Sequence, residues 1–306
     1  MGEILVSVVC LAYNQENYIK DAIESFLMQK TNFTFEIIIH DDASTDKTRD
    51  IIREYSLKYP DVIKLIIQKE NQYSKGERIL KFIVPEIKGK YIAFCEGDDY
   101  WTDPSKLQLQ TDYLESHPEY SMCVHAADRV SVDKTNLSLP MSPSKKDRTY
   151  SFLDILKSGG GFVATNSVFC RAKHIIEMPD FTNVSFGDYP LEMYLGYQGK
   201  TYYSAIRMSA YRVDVPGSWS RRVLSTANGM RNLMSDLDIM MDELNAYSYF
   251  KYDKIVRKTK TLNKFKVMQR LAMDDESVKD ELRRLYRKLD IKIKIKIFTK
   301  KLLHRN

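Results

Sequence analysis

This 306-residue chain has no apolar run approaching the roughly 18–20 residues of a membrane-spanning helix, which excludes a helical integral membrane protein. Residues 1–11 show neither a basic leader nor a small-residue cleavage site, so no secretory signal is expected. Cysteine is scarce. Cys10, Cys95, Cys123 and Cys170 stand singly in apolar segments, with no C-x-x-C spacing. That argues against a zinc site and predicts buried free thiols in a reducing, cytoplasmic compartment. No internal repeat is present. Also missing is a glycine-rich basic loop after the first apolar segment, where Ala12-Tyr13-Asn14-Gln15 stands instead. A nucleotidyltransferase would want such a loop to cradle phosphates, so that reading is disfavoured.

What is present suffices for one large domain, or a domain with an appendage, since 43% of the residues are hydrophobic. The charge is uneven. Residues 251–306 carry 19 Lys or Arg against 7 Asp or Glu, so a tail of net +12 follows a body of net −6. Two jobs are implied rather than one.

Residues 1–126 alternate strand-like and helix-like segments, the pattern of a parallel sheet covered by helices. Strands are expected over 4–11, 35–39, 63–67 and 91–95. Ile19, Ala22, Ile23, Phe26 and Leu27 share one helical face. Ser44 or Thr45 is expected to cap a second helix, and Asp103-Pro104 to open a third through Leu114. Residues 134–148 read as a loop, 165–171 as strand-like, Asp188 as a helix start, and 202–213 as another strand. From about Ala227 a long helix carries a stripe of Met230, Leu233, Met234, Leu237, Met241 and Leu244.

In open α/β sheets, ligands sit beyond the carboxyl ends of the strands. Three polar clusters fall at such ends: Tyr13-Asn14, Asp41-Asp42 and Glu96-Gly97-Asp98-Asp99. If the sheet is parallel, all three meet on one rim. Carboxylates there would repel a phosphorylated ligand unless a hard divalent cation bridged the two. Asp98 and Asp99 can supply that bridge, Gly97 leaves room for close approach, and Asp41 or Asp42 is free to hydrogen-bond a base or ribose. Acids after strands also cap helices or make turns, which competes with this reading for any one pair.

The segments Val6-Ser-Val-Val-Cys-Leu-Ala-Tyr-Asn14, Glu36-Ile-Ile-Ile-His-Asp-Asp-Ala-Ser-Thr-Asp46 and Tyr91-Ile-Ala-Phe-Cys-Glu-Gly-Asp-Asp-Tyr-Trp101 closely resemble glycosyltransferase family 2. The resemblance is dense over residues 4–115 and thinner to about 222. It implies an α/β, Rossmann-like GT-A fold, a mostly parallel sheet flanked by helices. It also implies an inverting transfer of one sugar from a nucleotide-sugar, by default a UDP-sugar, with Mn²⁺ or Mg²⁺. The corresponding division is a transferase domain over 1–225, with a nucleotide-sugar half (1–126) and an acceptor half (127–225). A helical basic extension covers 226–306.

By the same resemblance, Tyr13 and Asp42 would hold the base, Leu11 would add a backbone contact, Asp98 would meet ribose or metal, and Asp99 would be the main metal ligand. Glu96 occupies the first acidic place of the D-x-D pattern and is a further candidate ligand. In Phe186-Gly-Asp-Tyr-Pro-Leu-Glu-Met-Tyr-Leu195, Asp188 is the candidate general base, with Glu192 as fallback. Arg221 and Arg222, in Val215-Pro-Gly-Ser-Trp-Ser-Arg-Arg222, are candidates for the leaving diphosphate. Thr165-Asn166-Ser167 is a candidate lining for the acceptor pocket.

By resemblance alone, the acceptor is expected to be a glycan or glycolipid, such as a lipid-linked glycan in surface polysaccharide synthesis. In the tail, Ile291, Ile295, Phe298 and Leu302 share a helical face flanked by lysines, which suits an anionic inner-leaflet surface. As a strand the same run alternates perfectly. A nucleic-acid partner is not expected, because the tail lacks interleaved aromatics and the body is acidic. The alternative function is a catalytically inactive nucleotide-sugar binder or scaffold of the same fold.

Overall fold

The computed structural model describes residues 2–137, 139–158, 160–179, 187–274, 278–291, 293–295 and 297. The chain divides into two compact units, Met1–Ser218 and Trp219–Asn306.

The first unit is organised by strands whose β-branched residues are buried on both faces. Strand β1 (Ile4–Ala12) pairs in parallel with β2 (Thr34–Asp41) and β4 (Tyr91–Phe94), and β2 pairs with β3 (Ile63–Ile67). Val6, Val8, Cys10, Ile37, Ile38 and Ile39 are sealed from solvent, as helices on both faces of a parallel sheet require. One cover is α1 (Ile19–Leu27), whose Ile19, Ile23 and Phe26 fill the core, with the Phe26 ring 4.7 Å from that of Trp101. Helix α2 (Thr48–Lys58) follows β2. A short α3 (Leu80–Ile83) continues as the 3₁₀ turn Val84–Glu86, where Pro85 cannot donate a backbone hydrogen bond.

Beyond β4 the sheet becomes mixed. Its order is β3-β2-β1-β4-β8-β6-β9-β5, where β5 is Tyr100–Trp101, β6 is Tyr120–Val130, β8 is Phe169–Arg171 and β9 is Lys200–Arg212. Strand β7 (Arg148–Tyr150) pairs with β9. The sheet contacts run antiparallel at β4–β8 and β6–β8 and parallel at β6–β9. Helices α4 (Lys106–Ser116), α5 (Phe152–Ser158), α6 (Ala172–Ile176) and α7 (Asp188–Gln198) complete the unit. The expected α/β sheet flanked by helices is therefore present.

Several local expectations differ. The second helix starts at Thr48 rather than beside Ser44 or Thr45, whose side chains bind the loop after β1 instead. Only Phe169–Arg171 of the 165–171 segment is strand, because Thr165–Ser167 turns as a 3₁₀ helix. All four cysteines are buried and free.

The second unit is helical: α8 (Trp219–Leu224), α9 (Ala227–Tyr247), α10 (Asp253–Asp274) and α11 (Lys279–Lys288). The Thr226 hydroxyl accepts from the Gly229 amide at 3.0 Å and caps α9. Met230, Leu237, Met240, Met241 and Leu244 are buried along α9, and Val256, Phe265, Met268 and Leu271 along α10. Of the expected tail face, Ile291 and Ile295 are exposed, while Phe298 and Leu302 lie outside the described residues. Among the described residues, no helix is long and apolar enough to cross a membrane.

Candidate active site

The parallel register of β1, β2 and β4 brings the three polar clusters to one rim, and hydrogen bonds lace the loops there together. Asn14, at φ 50°, donates its backbone N–H to the Ser44 hydroxyl at 3.0 Å, and its side-chain oxygen accepts from the Thr45 amide at 2.8 Å. The Gln15 amide donates to the Thr48 hydroxyl at 2.7 Å. Tyr13 is left 40% exposed on this rim, its ring available to a planar ligand. The Leu11 carbonyl accepts from the Gly97 amide at 2.9 Å and so fastens the acidic loop to β1.

Both acids after β2 have structural partners. Asp41 is fully buried and accepts from Arg49 Nε at 3.1 Å. Asp42 accepts the Gln72 amide at 2.7 Å and the Tyr73 amide at 3.0 Å, one on each oxygen. It thus holds the 71–75 loop against the rim, and each oxygen keeps a second lone pair. Gly97 does not open space for a ligand as expected. A Cβ there would meet Gln15 Oε1 at 2.4 Å and Ile19 Cδ1 at 2.8 Å, so the space is already taken by α1 and the turn before it.

The acidic loop divides by role. Asp99 is buried: Oδ2 accepts from Asn166 Nδ2 at 2.9 Å and Oδ1 from the Arg212 backbone amide at 2.8 Å. Asn166 in turn accepts from Trp101 Nε1 at 2.9 Å and from the Ser209 hydroxyl at 2.7 Å. Asp98, only partly buried, receives no hydrogen bond to its carboxylate from another described residue. Its backbone carbonyl accepts from Arg212 Nη1 at 2.5 Å. Glu96 Oε2 is buried with no hydrogen-bond partner.

Asp188 opens α7, where Oδ1 accepts from the Tyr189 amide at 2.8 Å. Though distant in sequence, it stands near enough for its charge to act on Glu96. Burial, then repulsion from Asp98 and Asp188, pushes Glu96 up to about 7. Burial raises Asp98, and burial with repulsion from Asp98 and Glu96 holds Asp99 well above the usual carboxylate range. Burial also raises Asp188 and, more strongly, Glu192, neither of whose oxygens reaches a partner in good geometry. The phenol of Tyr211 lies in this field as well and is raised by burial and then by Asp99, Glu96, Asp98 and Asp188. Against these acids stands the guanidinium of Arg212, which favours the charged forms of Asp98 and Asp99.

The site is thus short of positive charge, with an orphaned carboxylate oxygen on Glu96 and an unclaimed carboxylate on Asp98. Such hard oxygen donors fit Mn²⁺ or Mg²⁺. Among the described residues no three or more His, Cys, Asp or Glu form a self-sufficient metal cage.

Glu96, Asp98, Asp99 and Asp188 therefore come together, with Leu11, Tyr13 and Asp42 along the same rim. Arg221 and Arg222 fall in the second unit, on α8, whereas this cluster is built from residues of the first. Phe186, at the start of the motif around Asp188, lies outside the described residues. The sequence reading missed Arg212 and Tyr211, whose only signal was a cation and a phenol ending a buried strand. It named Asn166 for an acceptor pocket, whereas the structure ties that side chain to Asp99.

A model of the family described as Glycosyl transferase family 2 matches residues 7–174. An uncharacterized protein of Mycobacterium tuberculosis is 33% identical over 251 residues, 79% of this chain and 69% of that protein. The UDP-Glc:alpha-D-GlcNAc-diphosphoundecaprenol beta-1,3-glucosyltransferase WfaP of Escherichia coli is 42% identical over 113 residues, 37% of this chain and 42% of that enzyme. Among solved structures, the mannosyltransferase PcManGT of Pyrobaculum calidifontis, in complex with GDP-Man and Mn²⁺, matches with a TM-score of 0.59 at 13% identity. That match covers 100% of this chain and 82% of the other, and it shows the GT-A fold.

Proposed function

The chain belongs to glycosyltransferase family 2, and we propose that it moves a single sugar from a UDP-sugar to an acceptor hydroxyl with inversion at the anomeric carbon. The observation that carries this reading is the meeting of Tyr13, Asp42 and the Glu96–Asp99 loop at the carboxyl ends of β1, β2 and β4, with the charge of Asp188 reaching Glu96. Tyr13 offers its exposed ring to the base. Asp42 takes up the base through its remaining lone pairs while holding the 71–75 loop in place.

Asp98, with Glu96 beside it, is the proposed ligand pair for Mn²⁺ or Mg²⁺. Asp98 is preferred here to Asp99, the ligand expected from the sequence, because Asp98 is partly exposed on the rim whereas Asp99 is 2% exposed. A cation held there would supply the positive charge that the donor diphosphate needs as leaving group. Asp99, Asn166 and Arg212 hold the loop that presents Asp98. Asp188, ionised at the amino end of α7, accepts the proton of the acceptor hydroxyl as that oxygen attacks the sugar.

The acceptor is proposed to be a lipid-linked glycan, a reading supported by the acceptor in the name of WfaP. With it goes a cytoplasmic enzyme that works at the inner face of the membrane, and residues 226–306 act as its basic extension.

The test is hydrolysis and transfer across a panel of UDP-, GDP- and dTDP-sugars with and without Mn²⁺. Asp188→Asn is expected to lose about 10²–10⁴-fold in turnover while still binding donor. Turnover of no donor, or an unchanged Asp188→Asn enzyme, overturns the reading; donor binding without turnover would instead identify a nucleotide-sugar scaffold.

A further inference from the structure

The turn between α9 and α10 turns two aromatic rings outward in a backbone conformation that such residues rarely adopt. Tyr249 and Phe250 have φ of 51° and 58°, consecutive left-handed positions where a helix end ordinarily uses glycine or asparagine. Bulky side chains at positive φ are genuine outliers. They persist only when the surroundings over-determine them.

The surroundings here do so from the inner side. Phe250 donates its backbone N–H to the Asn245 carbonyl at 2.8 Å, and Tyr249 to that of Ala246 at 2.9 Å. The buried Ser248 hydroxyl donates to the Asn245 carbonyl at 2.9 Å. Buried Asn245 Nδ2 donates to Asp253 Oδ1 at 3.0 Å and ties the turn to the start of α10.

Packing does not explain the rings, because Tyr249 is 91% exposed and Phe250 64%. Of the cations nearby, Arg257 pairs with Asp253 and Lys258 with Asp290, which leaves Lys251 and Lys254 beside the rings. Lys251 and Lys254 are exposed, and neither forms an ion pair with a described residue. The unit as a whole, residues 219–306, has 22 Lys or Arg against 11 Asp or Glu.

We infer that the Tyr249–Phe250 turn is a membrane-insertion tip that seats its rings at the headgroup level of an anionic bilayer while Lys251 and Lys254 meet the lipid phosphates. Aromatic rings with an apolar body favour that interface. Flanking lysines add attraction to anionic lipid. Two exposed rings flanked by exposed, unpaired lysines match the layered chemistry of an anionic bilayer surface, apolar below and phosphate above. This inference does not depend on the enzymatic reading or on residues 291–306.

The test is flotation of the full chain with vesicles of phosphatidylcholine alone and of phosphatidylcholine with 30% (about one lipid in three) phosphatidylglycerol. Tyr249→Asn/Phe250→Gly removes both rings and places residues suited to positive φ, so the turn itself is eased rather than broken. Wild type is expected to float with the anionic vesicles, and the double variant to bind them at least about tenfold more weakly. Phe250→Trp is expected to bind, with indole emission shifted to the blue and quenched by lipids labelled near the headgroup. Equal binding of wild type and double variant, or no binding by wild type, overturns the inference. A blue shift that grows with protein concentration without vesicles also overturns it and identifies a second copy as the occupant.

Discussion

Arg212→Met would remove the cation on which the acidic loop closes. The side chain of Arg212 is 1% exposed, donates to the Asp98 carbonyl and is paired with Asp21, which is 27% exposed. Its guanidinium also lies 4.7 Å from the Tyr100 ring centroid and 5.1 Å from that of Tyr18. Removing one partner of a buried pair costs about 3–5 kcal/mol. The lower end applies, because Asp21 keeps Lys134 at 2.7 Å and reaches solvent.

The backbone amide of residue 212 still serves Asp99 in the variant, so that bond is not lost. A cost of about 3 kcal/mol corresponds to a melting temperature lower by about 6–12 °C for a unit of this size. Calorimetry of wild type, Arg212→Met, Asp21→Asn and the double variant would measure it, with Asp21→Asn alone the milder single change. A loss below about 0.5 kcal/mol in Arg212→Met, the level of an ordinary surface substitution, would refute the reasoning.

Lys106 is buried over the Trp101 ring at 4.0 Å, and burial lowers its pKa from 10.5 to about 7. Between those values the unfolded chain holds a proton that the folded chain lacks, so stability rises with pH across the window. Lys106→Met should flatten that rise and stabilise most at and below about pH 7, which denaturation at several pH values will show. Glu192 has the opposite sign. Its raised folded pKa makes stability fall as pH climbs from the ordinary 4.5, and Glu192→Gln should abolish that fall in the same measurement. Gly97→Ala should cost about 1–3 kcal/mol by forcing Gln15 and Ile19 away from the acidic loop, as read by thermal melting.

The parallel half of the sheet was legible because its strands are unbroken apolar runs bounded by polar clusters, and burial on both faces requires that pattern. The rim followed from it, since three clusters at carboxyl ends can converge in a parallel sheet. What escaped were partners fixed only by tertiary register. Asp98 and Asp99 are adjacent and alike in sequence, yet the 3₁₀ turn before β8 and the end of β9 bring Asn166 and Arg212 onto Asp99 and leave the Asp98 carboxylate open. The role of Gly97 was misjudged because its neighbours, Gln15 and Ile19, come from another element. Arg212 looked like any basic residue at a strand end, and the Tyr249–Phe250 turn gave no glycine to mark its left-handed backbone.

The most direct test is calorimetric titration of UDP into the full chain with Mn²⁺ and with a chelator, comparing wild type, Asp98→Ala and Asp188→Asn. The account predicts Mn²⁺-dependent binding that weakens at least about tenfold in Asp98→Ala and persists in Asp188→Asn. Binding unaffected by the chelator, or retained in Asp98→Ala and lost in Asp188→Asn, would contradict it.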